Sequence, residues 1–527
     1  MSIAPLNLQL NYWENFEIQD EDLEFLYNLL LEKETPLTSR ELVEVLARER
    51  IRIETENIQR NLSAGTIYFP KDHYQAGDVL RFPALDWAEG KVVSVRPGIN
   101  PEIPPFEVIE VEFKDQTRKL FASGVENHIL NNPVTGTPDD PSAALKKVMD
   151  QFSRDLEEKL TEKFKSIPDL VNIAGAWFPR SLLVDINMGH LNLAEAVLEV
   201  AGGGPLPTRA ILEQIDLPTD VNPKLTEFSL NLALQEDDRF DEVGPAGEIL
   251  WFLRRLEPED VQNPPLHLRY EPPGIKQRLP LGETVALNLL VFDELEAESD
   301  RPEPSDTITV SLIYPHWRSG TIPLSKSIAR LFPTAYEAPR VNFTIVDAET
   351  EKTYSGWVVR PHRYVFGLKE WYEEKNIIPG SLFVIKRGKR PGEVLVQALK
   401  KHTTKDWVRT VLVGADGGLV FTMLKQQINT EIDDRMAIMV PNPDAIDQLW
   451  QQNNHSREPI EKSVLTIMKE LMKLSPQGHV HAQELYAGVN IIRRCPPGII
   501  LQVLANQPQV SHLGDLYFRL SEPGAES

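Results

Sequence analysis

A helix–turn–helix signature occurs twice with one wording. Pro36-Leu37-Thr38-Ser39-Arg40-Glu41-Leu42 and Pro205-Leu206-Pro207-Thr208-Arg209-Ala210-Ile211 share Pro-Leu-x-(Ser/Thr)-Arg-x-(Leu/Ile), and each follows an apolar helix. Ahead of the first, Leu23, Leu26, Tyr27, Leu30 and Leu31 recur at the spacing of one buried helix face, behind the acidic lead Gln19-Asp20-Glu21-Asp22 that suits a helix N-terminus. Thr38-Ser39-Arg40-Glu41 is a capping box, and Leu42, Val45 and Leu46 continue as a buried stripe. A third, looser copy runs from Val464 to Met472 and on through His481-Ala482-Gln483-Glu484-Leu485, without the Pro-Leu pair. A repeat that cannot bury its own stripe as a single helix forces a chain of 527 residues into several small packed units, about four by the usual size of domains.

The ends of copies two and three agree as well. Arg239-Phe240-Asp241-Glu242-Val243-Gly244 and Gln509-Val510-Ser511-His512-Leu513-Gly514 each precede a strand-like run. Helix, helix, helix, hairpin is the winged-helix order, and the set resembles HARE-type helix-turn-helix domains, which accompany transcription and restriction proteins. Neither late copy reads as a recognition helix: Gln235-Glu236-Asp237-Asp238 precedes the wing of copy two, and the third helix of copy three, Pro496 to Asn506, is uncharged. Protein contact or scaffolding is the expected role of both.

Two other stretches follow a period of two. From Tyr74, the runs Asp78 to Phe82, Gly90 to Val95 and Phe106 to Phe113, punctuated by Gly77, Gly90, Pro97-Gly98 and Pro104-Pro105, predict a small Src-homology-three-like barrel. The second stretch changes charge along with pattern. Between Thr307 and Arg409 there are seventeen Lys+Arg against nine Asp+Glu, in a chain with a formal net charge of -23. Strands are expected at Thr307 to Ile313, Thr321 to Leu324, Arg340 to Val346, Thr353 to Val359, Leu382 to Lys386 and Glu393 to Ala398, broken by two brief helices. Val411 to Val440 adds a strand pair around Ala415-Asp416-Gly417-Gly418 that would extend this barrel.

In this basic island a strand leads into Tyr314-Pro315-His316-Trp317-Arg318-Ser319-Gly320, and a second runs into the helix Ser325 to Phe332, stopped by Pro333. The corner Arg360-Pro361-His362-Arg363 is followed by Gly367, the aromatic helix around Trp371-Tyr372, and the turn Ile378-Pro379-Gly380-Ser381. This succession resembles the plant-type, B-three DNA-binding pseudobarrel of auxin- and abscisic-acid-response factors over about a fifth of the chain, with Gly380-Ser381 where that family has Gly-Asp. The family grips the major groove with two arms. The resemblance places His316, Trp317, Arg318 and Ser319 on the first, and Arg360, His362 and Arg363 on the second. Arg pairs bidentately with guanine or neutralises phosphate, and Ser and His add hydrogen bonds. The hairpin residues Lys386, Arg387, Lys389 and Arg390 suit phosphate contact in the same footprint. The alternative is that all these charges belong to solvated barrel loops.

The resulting expectation is an α+β multidomain chain of winged-helix units, a small barrel and a DNA-binding pseudobarrel: 1–70 helix-turn-helix unit, 71–131 barrel, 132–185 linker and charged helix, 186–270 winged helix, 271–306 strand and acidic linker, 307–450 pseudobarrel with extension, 456–521 winged helix. An acidic body opposes indiscriminate coating of nucleic acid, so DNA contact must be local. Cys495 is the only cysteine, which excludes a disulfide framework and fits a reducing cytoplasm. No apolar run approaches eighteen residues, so no membrane span is expected. Glu112-Phe113-Lys114, with Asp86 upstream, imitates a nuclease core, and His479 and His481 lack a third metal ligand nearby; neither is read as a site, and no phosphate-cradling loop implies a cofactor. The reading is sequence-specific binding of double-stranded DNA, in transcriptional regulation, with protein partners on the winged helices. The alternative is the DNA-recognition subunit of a restriction or defence system, its nuclease on another chain.

Overall fold

Short strands that follow a helix and pair with a later hairpin define the chain's recurring unit. The computed structural model describes residues 10–63, 65–85, 87–100, 104–131, 141–217, 221–273, 281–296, 306–335, 338–390, 392–414, 417–456 and 458–521. Asp86 and most of the two expected linkers lie outside them, as does the turn at 415–416. The chain forms two compact units, Met1–Asp185 with Pro218–Ser229, and Ile186–Leu217 with Leu230–Ser527.

In the first unit, helix Asp20–Lys33 carries its acidic residues in the first turn, with the Gln19 backbone N–H donating to Asp22 at 3.0 Å. Asp22 is buried beside Leu26 and Leu30 and is gripped through both oxygens by Arg50 at 2.8 and 2.7 Å. The capping box forms as expected: Thr38 donates its N–H and hydroxyl to Glu41, each at 2.8 Å. Strand Leu37–Thr38 leads into helix Ser39–Ser63, and Leu37 lies opposite Trp177, a residue of the hairpin Leu170–Ile173 and Ala176–Pro179. The helix between them in this layer is Pro141–Lys165, so the stretch expected to be linker and charged helix instead completes the unit begun at residue 20. The five strands Thr66–Ile67, Val79–Phe82, Ala88–Pro97, Glu107–Phe113 and Arg118–Ser123 pair in sequence order around Tyr68, Tyr74, Leu80, Phe82, Val92, Ile109 and Val111. This small sheet is therefore an insertion between the second and third helices of its host.

The second unit repeats the arrangement twice. Helices Met188–Val200, Thr208–Leu212 and Pro223–Glu236, the last belonging to this unit from Leu230 on, precede the hairpin Phe240–Glu242 and Leu250–Leu253, which receives strand Leu206–Pro207. Ile460–Met472, Ala482–Val489 and Pro497–Asn506 precede Val510–Gly514 and Tyr517–Leu520, which receive Val480–His481. Equivalent registers set Leu206 opposite Trp251 and Val480 opposite Phe518. The side-chain chemistry at this joint also repeats. Trp177 donates its indole N–H to Ser39 at 3.0 Å, and Trp251 donates to Thr208 at 3.2 Å; in the third copy both partners become apolar, Phe518 and Ala482. Replacing donor and acceptor together leaves no buried polar orphan.

Between these copies lies a seven-stranded sheet: β1 (Thr307–Ser311), β2 (Thr321–Pro323), β3 (Arg340–Asp347), β4 (Thr353–Val359), β5 (Tyr364–Phe366), β6 (Leu382–Arg387) and β7 (Glu393–Ala398), in the order β1-β6-β7-β3-β4-β5-β2. All neighbours are antiparallel except β3 and β7. Every second residue of β3 is buried, as a half-covered sheet requires. Val310, Ile322, Val341, Trp371 and Phe383 are central to its core. The expected extension is instead a separate two-stranded ribbon, β8 (Lys400–Val413) and β9 (Leu419–Thr430), because among the described residues β9 forms its ladder with β8 alone.

Candidate nucleic-acid interface

Strand direction decides which loops share an end of the sheet. Tyr364 pairs with Pro323 and Thr321 with Phe366, so the β4–β5 corner meets the end of β2, not its start. Thr307 pairs with Lys386, which puts the start of β1 and the β6–β7 hairpin at that same end. The second arm and the basic hairpin are thus brought together, and the first arm leaves from the opposite end.

At the shared end the backbone is fixed by hydrogen bonds. Arg363 N–H donates to Arg360 O at 3.2 Å, Leu324 N–H to Arg363 O at 2.8 Å, and Arg360 N–H to Pro339 O at 3.0 Å. Arg363 itself occupies the left-handed region, φ 53°, and is exposed along with His362, whose ring lies near-parallel to Tyr364. Arg387 donates to Arg330 O at 3.0 Å, tying the hairpin to the helix Lys326–Ala329. Eight cations converge here: Lys326, Arg330, Arg360, Arg363, Lys386, Arg387, Lys389 and Arg390. Among the described residues only Glu393 pairs with any of them, reaching Arg390 at 3.6 Å. Lys326 and Arg330 were not among the residues expected from sequence; the helix Lys326–Ala329 and its cap bring them to this end. The corner is braced from behind by copy two: Asn342 N–H donates to Val243 O at 2.8 Å, and Phe252 packs edge-on against Trp357 at 5.2 Å.

The first arm is not a free loop. Tyr314–Ser319 is a short helix with Pro315 in its first turn and Gly320 as its left-handed cap, φ 65°. His316 is buried, with Nε2 2.9 Å from Glu294 and Nδ1 2.9 Å from Thr321. Trp317 donates its indole N–H to Ile377 O at 2.7 Å, and Ser319 is buried. Arg318 is held by Asp447 at 2.6 Å and Asp444 at 3.0 Å, and the hydrogen bond to Asp447 raises its pKa further. Although burial pushes the Asp447 carboxyl up, Arg318 and His267 hold it below the usual range. The four residues expected on a groove-facing arm are thus turned inward: His316, Trp317 and Arg318 bond within the chain, Ser319 is buried, and the sheet places all four at the end away from Arg363.

The remaining motifs are engaged in local contacts. Glu112 pairs with Arg118 across its hairpin at 3.1 Å, and Lys114 lies 3.8 Å from Glu89. His481 accepts from Gln483 N–H at 3.1 Å as the N-cap of the following helix, and both His479 and His481 rest edge-on against Tyr517. Among the described residues no helix is long and apolar enough to cross a membrane. No family model, curated protein or solved structure matches the chain.

Proposed function

We propose that this chain binds double-stranded DNA through the basic end of the seven-stranded sheet and acts in transcriptional regulation. The carrying observation is the convergence of eight Lys and Arg side chains, nearly free of carboxylate partners among the described residues, on one end of a sheet in an acidic protein. Lys326, Arg330, Lys386, Arg387, Lys389 and Arg390 take the phosphate backbone, and Arg363 with His362 and Arg360 presents the donors for base edges. The reading of this sheet as a B-three-like pseudobarrel keeps its second arm and gives up its first. The three helix-and-hairpin copies are read as winged helices that hold protein partners. In copy three the third helix is buried against Leu281–Leu290, which favours scaffolding over groove reading.

The test uses the full chain and a site selected from random duplexes. Lys389→Ala with Arg390→Ala is expected to weaken selected and scrambled DNA alike and lower the salt slope by about two. Arg363→Ala is expected to cost roughly 1–3 kcal/mol on the selected site only. Arg318→Ala should leave binding unchanged. Loss of sequence preference in a folded Arg318→Ala variant, with the other variants unaffected, would overturn the assignment.

A further inference from the structure

The inward-turned first arm does more than plug the sheet. Trp317 and Arg318 line a cavity of about 610 Å³ whose other walls come from the helix Lys369–Lys375, the loop through Ile378 and strand β9. That volume falls within the range of small-molecule sites, roughly 300–1,000 Å³. It lies at the end of the sheet away from Arg363 and the basic hairpin.

The floor is apolar and its polar atoms are already engaged. Trp317 spends its N–H on Ile377 O, and the buried Tyr372 donates its hydroxyl to Thr321 O at 2.9 Å, so both rings offer only carbon surface. Ile377, Ile428 and Met439 complete this floor. The rim is the reverse. Lys369, Glu373, Asn376, Gln427 and Asn429 are exposed side chains on the lining, and Lys369 also lies in the field of Asp260. Arg318 is fixed through Nε and Nη2 by Asp447 and Asp444, leaving Nη1 as a preorganised donor. Asn376 stands in the left-handed region, φ 54°, as the cap of its helix.

An aromatic floor with a ring of amides, each both donor and acceptor, matches a flat heterocycle whose edge alternates donors and acceptors. Lys369 and Arg318 Nη1 add a place for one anionic substituent. We propose that this cavity binds a nucleotide unit, its base over Trp317 and between the amides, its phosphate at Lys369. The site is separate from the basic end of the sheet and does not depend on duplex binding there.

Calorimetry on the full chain tests this with the four ribonucleoside 5′-monophosphates, their nucleosides, ribose 5-phosphate and single-stranded tetranucleotides. At least one monophosphate is expected to saturate the chain below about 1 mM, with ribose 5-phosphate at least about tenfold weaker. Tighter binding of free monophosphate assigns a free ligand and tighter binding of a tetranucleotide a strand, and either upholds the site. Lys369→Ala should weaken the monophosphate about tenfold and leave its nucleoside unchanged. Asn376→Gly, whose backbone suits the left-handed cap, and Gln427→Ala should weaken both while the chain stays folded. No saturation by any probe, equal binding of ribose 5-phosphate, or binding that survives all three variants but is lost in Arg363→Ala would overturn the proposal.

Discussion

Replacing Arg494 by Met attacks the most deeply buried charge cluster among the described residues. Arg494 is fully buried, Nη2 lying 2.7 Å from Asp293 and 2.9 Å from Glu294, carboxylates that are themselves 1% and 3% exposed as side chains. Tyr486 donates to Asp293 at 2.6 Å, and Asn490 accepts from Arg494 at 3.2 Å. Removing one member of such a cluster leaves its partners buried without compensation, which costs about 3–5 kcal/mol. That is a large part of the 5–15 kcal/mol typical of a domain and corresponds to about 6–20 °C in melting temperature. Burial pushes the Glu294 carboxyl up, but Arg494 and His316 together hold it well below the ordinary carboxylate range. A depressed folded-state pKa stabilises above the unfolded value near 4.3 and is lost as pH falls through the folded value. In Arg494→Met the stranded Glu294 prefers its proton, so acid relieves the variant, while the native chain keeps this contribution at any pH above the unfolded value. Thermal unfolding at pH 7 and pH 5 should therefore show a gap that narrows with acid, and Glu294→Gln in the Met background should restore part of it. A loss under about 1 kcal/mol at pH 7, or a gap that widens with acid, would refute this account of the cluster.

Three further outcomes follow from single contacts. Gly320→Ala is expected to lower stability by about 2 kcal/mol or more in denaturant titration, because φ is 65° and an added Cβ would stand 2.7 Å from the Lys369 backbone nitrogen. Thr208→Val should cost about 1–3 kcal/mol by the same measure, since the buried Thr208 hydroxyl donates to Asn231 at 2.5 Å and accepts from Trp251. Cys495 is buried and burial pushes its thiol up to about 12, so a maleimide at pH 8 should modify it only after unfolding.

The repeated unit was legible because its signals are local. Thr38 and Glu41 form the capping box their spacing announces, and Leu26 and Leu30 are buried at helical period. The strands of the basic island fall within a residue or two of their apolar runs. What escaped depends on distant partners. Tyr314–Ser319 carries the helix signature of Pro in the first turn and Gly at the cap, but only six residues long it gives no periodicity. Its burial rests on Glu294, from a stretch that reads as acidic linker, and on Asp447, 129 residues away. Charge alone could not separate Arg318, which is paired, from Arg363, which has no carboxylate partner among the described residues. The resemblance alone sets the two arms in one groove, and it carries no information on strand direction here, which the pairing of Thr321 with Phe366 supplies.

The inserted five-stranded sheet also sets an order of events during synthesis. Its host owns helix Ser39–Ser63 but cannot recruit helix Pro141–Lys165 or the hairpin that pairs with Leu37 until every residue of the inserted sheet has left the ribosome. At 5–20 residues per second the wait is roughly 4–15 s, long against the folding of a small domain. During it the faces of Leu26, Leu30 and Leu42 lack their cover, an interval in which a chaperone would find an open apolar groove. Ser142 and Leu145 line the same cavity as Ile51 and Thr55, so the two host helices run side by side where the guest departs. A short linker in place of the inserted sheet would shorten that exposed interval and leave the host's own pairing intact.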